Sequence, residues 1–226
     1  MILQYMLIAN LKISIHQPNF LPFGGFWDKM SKSNIFVILD NVQYSKNSYT
    51  NRCEIKTPEG KKWLTMPVIH KFPQLIKDVE LFEPEKNKMK CFSEIKRYYK
   101  TAINFREMFP KIKELINFPS NNLSEYNIHL IKSIAELLDI KTQIVLSSNY
   151  KFQGNSTELL INICKHFGAD IYLSGKGGKK YQDEEMFKMA GIKVEYNDWV
   201  QPEYPQLWKE FIPNLSIIDY LMNITN

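Results

Sequence analysis

Leu11-Lys12-Ile13-Ser14-Ile15-His16 and Ile35-Phe36-Val37-Ile38-Leu39-Asp40 are the two stretches that decide the fold. The first is a short apolar run, LKISI, that ends at His16. The second, IFVILD, is continuous, as in strands buried on both faces. Between them, over residues 23–33, Phe23, Phe26, Trp27 and Met30 recur at helical spacing. Strand, loop, helix, strand is the repeating unit of a parallel sheet.

The same alternation returns near the C-terminus. Residues 142–147 (TQIVLS) read as a strand, 156–167 as a helix, 170–173 as a strand, 183–189 as a helix and 192–196 as a strand. Asn155 with Glu158 forms a start resembling a capping box, and Gly168 supplies the stop. The middle differs. Residues 52–56, the turn Thr57-Pro58-Glu59-Gly60 and residues 62–68 read as a β-hairpin. Over 84–139 the chain turns helical, with Leu123, Tyr126, Leu130, Ile131, Ile134, Leu137 and Leu138 marking one face. The expected architecture is one α/β domain over 1–226, its parallel sheet formed by both ends of the chain. A hairpin (52–68) and a helical region (84–139) are inserted, and 1–10 is a loose arm or strand extension.

The chain has 226 residues, 44% of them hydrophobic and 23% charged, which fits a globule with a substantial core and excludes disorder or a disulfide scaffold. Its net charge of +5 comes with no dense Lys/Arg run, so nucleic acid is possible as a partner but not indicated, and an anionic small molecule fits equally well. Three scattered cysteines, Cys53, Cys91 and Cys164, argue against a zinc knuckle and for a reducing compartment, here the cytoplasm. No stretch approaches the length of a membrane span.

Three segments carry polar side chains where an open α/β sheet binds its ligands, after the strands. In His16-Gln17-Pro18-Asn19-Phe20-Leu21-Pro22, His16, Gln17 and Asn19 offer imidazole and amides to an anion or a nucleobase; the plainer reading is that His16 bonds a carbonyl. From Asp40 to Arg52, Asp40 suits a ribose hydroxyl, a metal or an amine, and Lys46 and Arg52 suit phosphate or carboxylate. Gln43, Tyr44 and Asn51 lie in the same run, whose plainer reading is a solvated loop. Ser174-Gly175-Lys176-Gly177-Gly178-Lys179-Lys180-Tyr181 is a glycine-rich, lysine-bearing turn before a helix; it suits phosphate through backbone N–H groups and the helix dipole, but its spacing is not that of a Walker A loop and a flexible surface loop is the default reading. The basic stretch from Lys86 to Lys113 reads as a solvated helical face, and the histidines form no metal pattern.

Together, His16 to Phe23, Phe36 to Ser48, Asn51-Arg52 with Ile55-Lys56-Thr57, and Trp63 to Val68 resemble the WbqC-like proteins. Ser174-Gly175 with Tyr181, Tyr204-Pro205-Gln206 and Phe211 to Asp219 continue the likeness almost to the C-terminus. That resemblance implies a role in bacterial surface polysaccharide biosynthesis, including O-antigen. A remoter likeness, strand, His/Pro loop, helix, strand, is to nucleotidyltransferases of the HUP superfamily such as pantothenate synthetase, and implies a Rossmann-like sheet. The chain departs from their His-x-Gly-His signature, because Pro22-Phe23-Gly24-Gly25 stands where a Gly-His pair belongs.

The expectation is a transferase or ATP-dependent amide-forming ligase. It would activate a carboxylate, with ATP and Mg²⁺ held through Asp40 or Asp183, and transfer an acyl or aminoacyl group to an amino-sugar nucleotide. His16, Asp40 and Lys46 are the catalytic candidates. Gln17, Asn19, Gln43, Tyr44, Asn51, Arg52, Ser174, Gly175, Lys176 and Tyr181 are the substrate- or nucleotide-binding candidates. A sugar transferase using a nucleotide-sugar donor and a non-catalytic scaffold of glycan assembly are the alternatives.

Overall fold

A computed structural model describes residues 10–225, so the arm expected over 1–10 lies outside the described residues apart from Asn10. The chain begins β1 (Lys12–His16), α1 (Gly24–Ser31) and β2 (Ile35–Ile38). Four short strands follow, β3 (Arg52–Thr57), β4 (Gly60–Thr65), β5 (Val68–Ile69) and β6 (Glu80–Leu81), and then α2 (Pro84–Tyr99), α3 (Phe105–Ile116) and α4 (Leu123–Leu137). The last third holds β7 (Gln143–Leu146), α5 (Ser156–His166), β8 (Ile171–Gly175), α6 (Glu184–Met189), β9 (Lys193–Asn197) and α7 (Ile217–Asn223). Where the sequence suggests one domain, the fold divides into two compact units. One comprises 10–17, Trp27–Leu39 and Ile140–Val200; the other comprises Pro18–Phe26, Asp40–Asp139 and 201–225.

The first unit is the Rossmann-like α/β layer. Its five strands are all parallel, in the order β7-β2-β1-β8-β9. Burial on both faces explains the unbroken apolar reading of β2, whose four residues are all buried. Ile13, Ile35, Val37, Phe167 and Phe187 belong to one core, and each such fully buried side chain contributes about 1.5–3 kcal/mol of transfer free energy. Helix α5 stops as its sequence suggests. Gly168 takes φ +68°, its N–H bonds Lys165 O, and Ala169 N–H bonds Cys164 O, the left-handed glycine cap. Its start differs from expectation: Asn155 makes no side-chain cap bond, and the side chain of Glu158 lies against Gly154. The capping box is therefore absent.

The second unit holds the hairpin and the three long helices. Strands β3 and β4 pair antiparallel from Arg52↔Thr65 to Thr57↔Gly60, closing on the two-residue turn Pro58-Glu59. The hairpin ends at Thr65, not Val68, because Pro67 has no N–H to continue the ladder; Val68 and Ile69 pair instead with Leu81 and Glu80. Tyr99, Tyr126, Ile95 and Leu130 are fully buried among the helices. Within the basic stretch Lys88 departs from the expected solvated face. It is 1% exposed, paired with Glu85 at 2.9 Å, and lies 5.6 Å from the Tyr126 ring. No helix among the described residues is long and apolar enough to cross a membrane.

Candidate functional site

Strand order locates the site in the first unit. From central β1 the chain steps outward to β2 and β7 on one side, then to β8 and β9 on the other. The reversal falls between β1 and β8, where sheets of this kind open a ligand crevice at their carboxyl edge. The register is interrupted at that point. Strands β1 and β2 pair through His16↔Ile38, and β8 and β9 through Gly175↔Asn197, whereas β1 and β8 pair only at Lys12↔Ile171 and Ile13↔Tyr172. Beyond Ile13 the backbone ladder between the two central strands stops.

Side chains fill the place of the missing ladder. Leu11 O accepts from Asp170 N–H and Ile171 N–H, so the odd-numbered carbonyls of β1 face β8. Two residues past the last pair, Ile15 O accepts instead from Lys29 Nζ at 3.1 Å. Ser14 Oγ donates to Leu173 O at 3.1 Å and lies 2.6 Å from Ser33 Oγ, which itself donates to Lys29 O at 2.9 Å. Lys29 is 3% exposed, and burial pushes its amine down to about 7.

His16 ends β1 at the lip of this gap. Its Nδ1 faces Gln17 O at 3.0 Å; a carbonyl only accepts, so Nδ1 carries the proton and Nε2 the lone pair. Burial, with the nearby Lys29 charge second, drives the imidazole down to about 3, so it is neutral across the physiological range. The plainer reading of His16, a bond to a carbonyl, holds together with its place at the crevice.

Across the gap Ser174 is 1% exposed and donates to Gly175 O at 3.1 Å. Lys176–Lys180 then form one tight helical turn whose three lysines are exposed. Gly178 packs so closely that a Cβ there would sit 2.3 Å from Ser174 Oγ and 2.6 Å from Gln182 Nε2. Gln182 Nε2 bonds the Tyr172 hydroxyl at 3.1 Å, and its buried Oε1 has no partner. Tyr181 is 78% exposed. One expectation fails here: the helix after this turn is not the anion donor. Asp183 Oδ1 already accepts from Glu185 N–H and Met186 N–H, and Glu184 and Glu185 crowd the first turn. Asp183 is thus a helix cap.

The remaining sequence candidates belong to the second unit. Asp40 is buried, and its segment runs antiparallel to 74–77 through Lys77 N–H to Asp40 O, Ile76 N–H to Val42 O and Tyr44 N–H to Gln74 O. Tyr44 packs edge-on to His70, while Gln43 and Lys46 are exposed. Asn19 is buried in the His/Pro loop. That loop is tied to the Asp40–Arg52 run by Asn127, whose Nδ2 donates to Pro18 O at 2.8 Å and Thr50 O at 2.7 Å. Asn51 Nδ2 donates to Met66 O, and Arg52 donates to Asn47 O while stacking 4.1 Å from the Trp63 ring. Asn51 and Arg52 thus hold their own loop together. Among the described residues no group of three or more His, Cys, Asp or Glu is placed to hold a metal ion.

Comparison with known proteins names the family. The model of the WbqC-like protein family matches residues 17–226. The chain belongs to that family. An uncharacterized protein of Mycobacterium tuberculosis (strain ATCC 25618 / H37Rv) is 32% identical to it over 217 residues, 94% of each chain. No solved structure matches.

The late strings of this WbqC-like protein form a buried network in the second unit. Asp219, 0% exposed, accepts from the Tyr99 and Tyr204 hydroxyls, each at 2.8 Å. Gln206 donates to Tyr204 Oη and Ile212 O and accepts from Ile212 N–H. Lys56 Nζ donates to Gln206 Oε1, Trp208 O and Glu210 O at 3.0, 3.1 and 2.6 Å. A cleft of about 710 Å³ lies over these groups, lined by Lys56, Pro58, Trp208, Phe211 and Ile212. The donors of Lys56 are all spent, and the charged side chains of Glu59, Lys209 and Glu210 also line the cleft.

Proposed function

We propose that this WbqC-like protein is a nucleotide-dependent transferase of bacterial surface polysaccharide biosynthesis, O-antigen or capsule, that passes an acyl or aminoacyl group to an amino-sugar nucleotide. The observation that carries the nucleotide reading is the early stop of the β1–β8 ladder at the switch point, with neutral His16 at the end of β1, buried Lys29 bonded to Ile15 O and Lys176, Lys179 and Lys180 on the turn after β8. The glycan setting is the one the family resemblance implies.

In the proposed chemistry a carboxylate oxygen attacks the α-phosphorus of ATP, and pyrophosphate leaves as the new P–O bond forms. An amine then attacks the acyl carbon, the acyl–O bond breaks, and AMP departs. Cations and N–H donors at the crevice stabilise the charge that gathers on the phosphoryl oxygens. His16, neutral with its lone pair on Nε2, suits the proton released by the amine. Mg²⁺ fits as an ion carried on the nucleotide's own phosphates, since the described residues form no protein cage for it.

The test is a product assay with ATP, a panel of carboxylic and amino acids, and amino-sugar nucleotides. Carboxylate-dependent pyrophosphate release and an acceptor heavier by one acyl group are expected. Release of a nucleoside diphosphate from the sugar nucleotide would replace this reading by the sugar transferase. A protein that ATP, CTP, UTP and sugar nucleotides all fail to stabilise at millimolar concentration would be the scaffold.

A further inference from the structure

Three lysines of this chain have almost no exposed surface, and two of them are neutralised or saturated. Lys88 is paired with Glu85, and Lys56 spends its three donors on three acceptors. Lys29, 3% exposed, has one hydrogen bond, to Ile15 O, and the Phe36 ring at 5.8 Å. It makes no ion pair among the described residues. A desolvated ammonium with donors to spare is among the most costly groups a protein can bury. It also lies where the β1–β8 ladder stops.

The charged groups around it do not supply the missing anion. Strand β1 brings Lys12, paired with Glu195, and the neutral His16. The residues of β2 (IFVI) include no titratable side chain, and those of β8 (IYLSG) include only Tyr172. On α1 itself Asp28 is engaged by Lys32 at 2.9 Å. Resting on the nucleotide reading above, we infer that Lys29 is the counter-ion of the ligand: a phosphate sits against its Nζ in the gap between β1 and β8, and binding draws a proton from solvent onto this amine. The amine is down near 7 in the free protein, so at higher pH it is largely uncharged. An anion at hydrogen-bonding distance restores the charge, and the proton comes from the buffer.

Calorimetric titration with ATP, and separately with inorganic tripolyphosphate, at about pH 8 in two buffers of different ionisation enthalpy, tests this. About one proton taken up per ligand is expected, because the free amine is then mostly neutral. Lys29→Met should abolish the uptake and weaken binding about tenfold or more. Lys29→Gln, which keeps a donor for Ile15 O but no charge, should behave likewise. Lys188→Met, at an exposed lysine of α6, should bind as the wild type does. ATP binding with buffer-independent heat, or wild-type affinity in both Lys29 variants, would overturn the role of Lys29 while leaving the nucleotide reading intact. Tripolyphosphate binding with proton uptake but no ATP binding would do the reverse. No heat with either would overturn both.

Discussion

Lys29 and Lys56 are chemically identical and equally hidden, yet their surroundings are opposite. Lys56, on β3 of the helical unit, meets two carbonyls and an amide oxygen, and Asp219 adds a favourable charge interaction. Lys29, on α1 of the sheet unit, meets one carbonyl and an aromatic ring. The first is the pattern of a finished core, in which every polar atom has been answered. The second leaves a buried amine with donors unspent, as the proposed ligand requires. A buried charge indicates function only after its partners have been accounted for.

The sharpest way to break that contrast is to remove each amine in turn. Lys56→Met leaves Gln206 and two carbonyls without their donor, and a loss of about 3 kcal/mol or more is expected in chemical denaturation. Lys29→Met removes a poorly solvated charge at the cost of one hydrogen bond, and should be at least as stable as wild type near neutral pH. Equal losses would erase the distinction.

Proton linkage sharpens the contrast further. The Lys29 amine moves from its ordinary value of 10.5 down to about 7 on folding, so between those values the unfolded chain holds a proton that the folded chain has released. Its contribution to stability therefore rises with pH through that window and is lost as pH falls through 7. The slope is about 1.4 kcal/mol per pH unit at most. Denaturation of wild type and Lys29→Met side by side from pH 7 to 10 should show the slope only in wild type.

Smaller effects are expected at the turn opposite. Gly178→Ala pushes a Cβ against Ser174 and Gln182 and should cost about 1 kcal/mol, whereas Gly177→Ala has nothing within 4 Å and should be neutral by the same measurement. The least disruptive check is spectroscopic. At pH 5 the His16 ring should still be neutral, with the proton on Nδ1, in a ¹⁵N-detected histidine spectrum; a doubly protonated ring there would remove it as a candidate base.

Much of this was legible in the chain before any coordinates. The apolar runs at β1, β2 and β8, the two-residue hairpin turn and the glycine stop of α5 are short-range features: neighbouring residues fix their dihedrals and their apolar faces. That polar segments follow the parallel strands was likewise readable, because a buried strand must end at the surface. The sequence argument erred where a local motif had a local competitor. Asn155 and Glu158 are spaced for a capping box that does not form, and Asp183 caps the helix whose free N–H groups had seemed available for phosphate.

The amino-acid order by itself determined a parallel α/β sheet, an inserted hairpin with helices, and the position of His16 and Ser174 at strand ends, since each of these follows from periodicity and turn chemistry within a few residues. Only the tertiary structure decided which lysine matters. Nothing in FGGFWDKM marks Lys29 as buried, for its burial comes from the sheet it packs on. Its single hydrogen bond falls where the ladder between two strands far apart in the chain stops. The network of Lys56, Tyr99, Gln206 and Asp219 was equally invisible, because its members come from distant segments and a hydrogen bond depends on where groups meet in space.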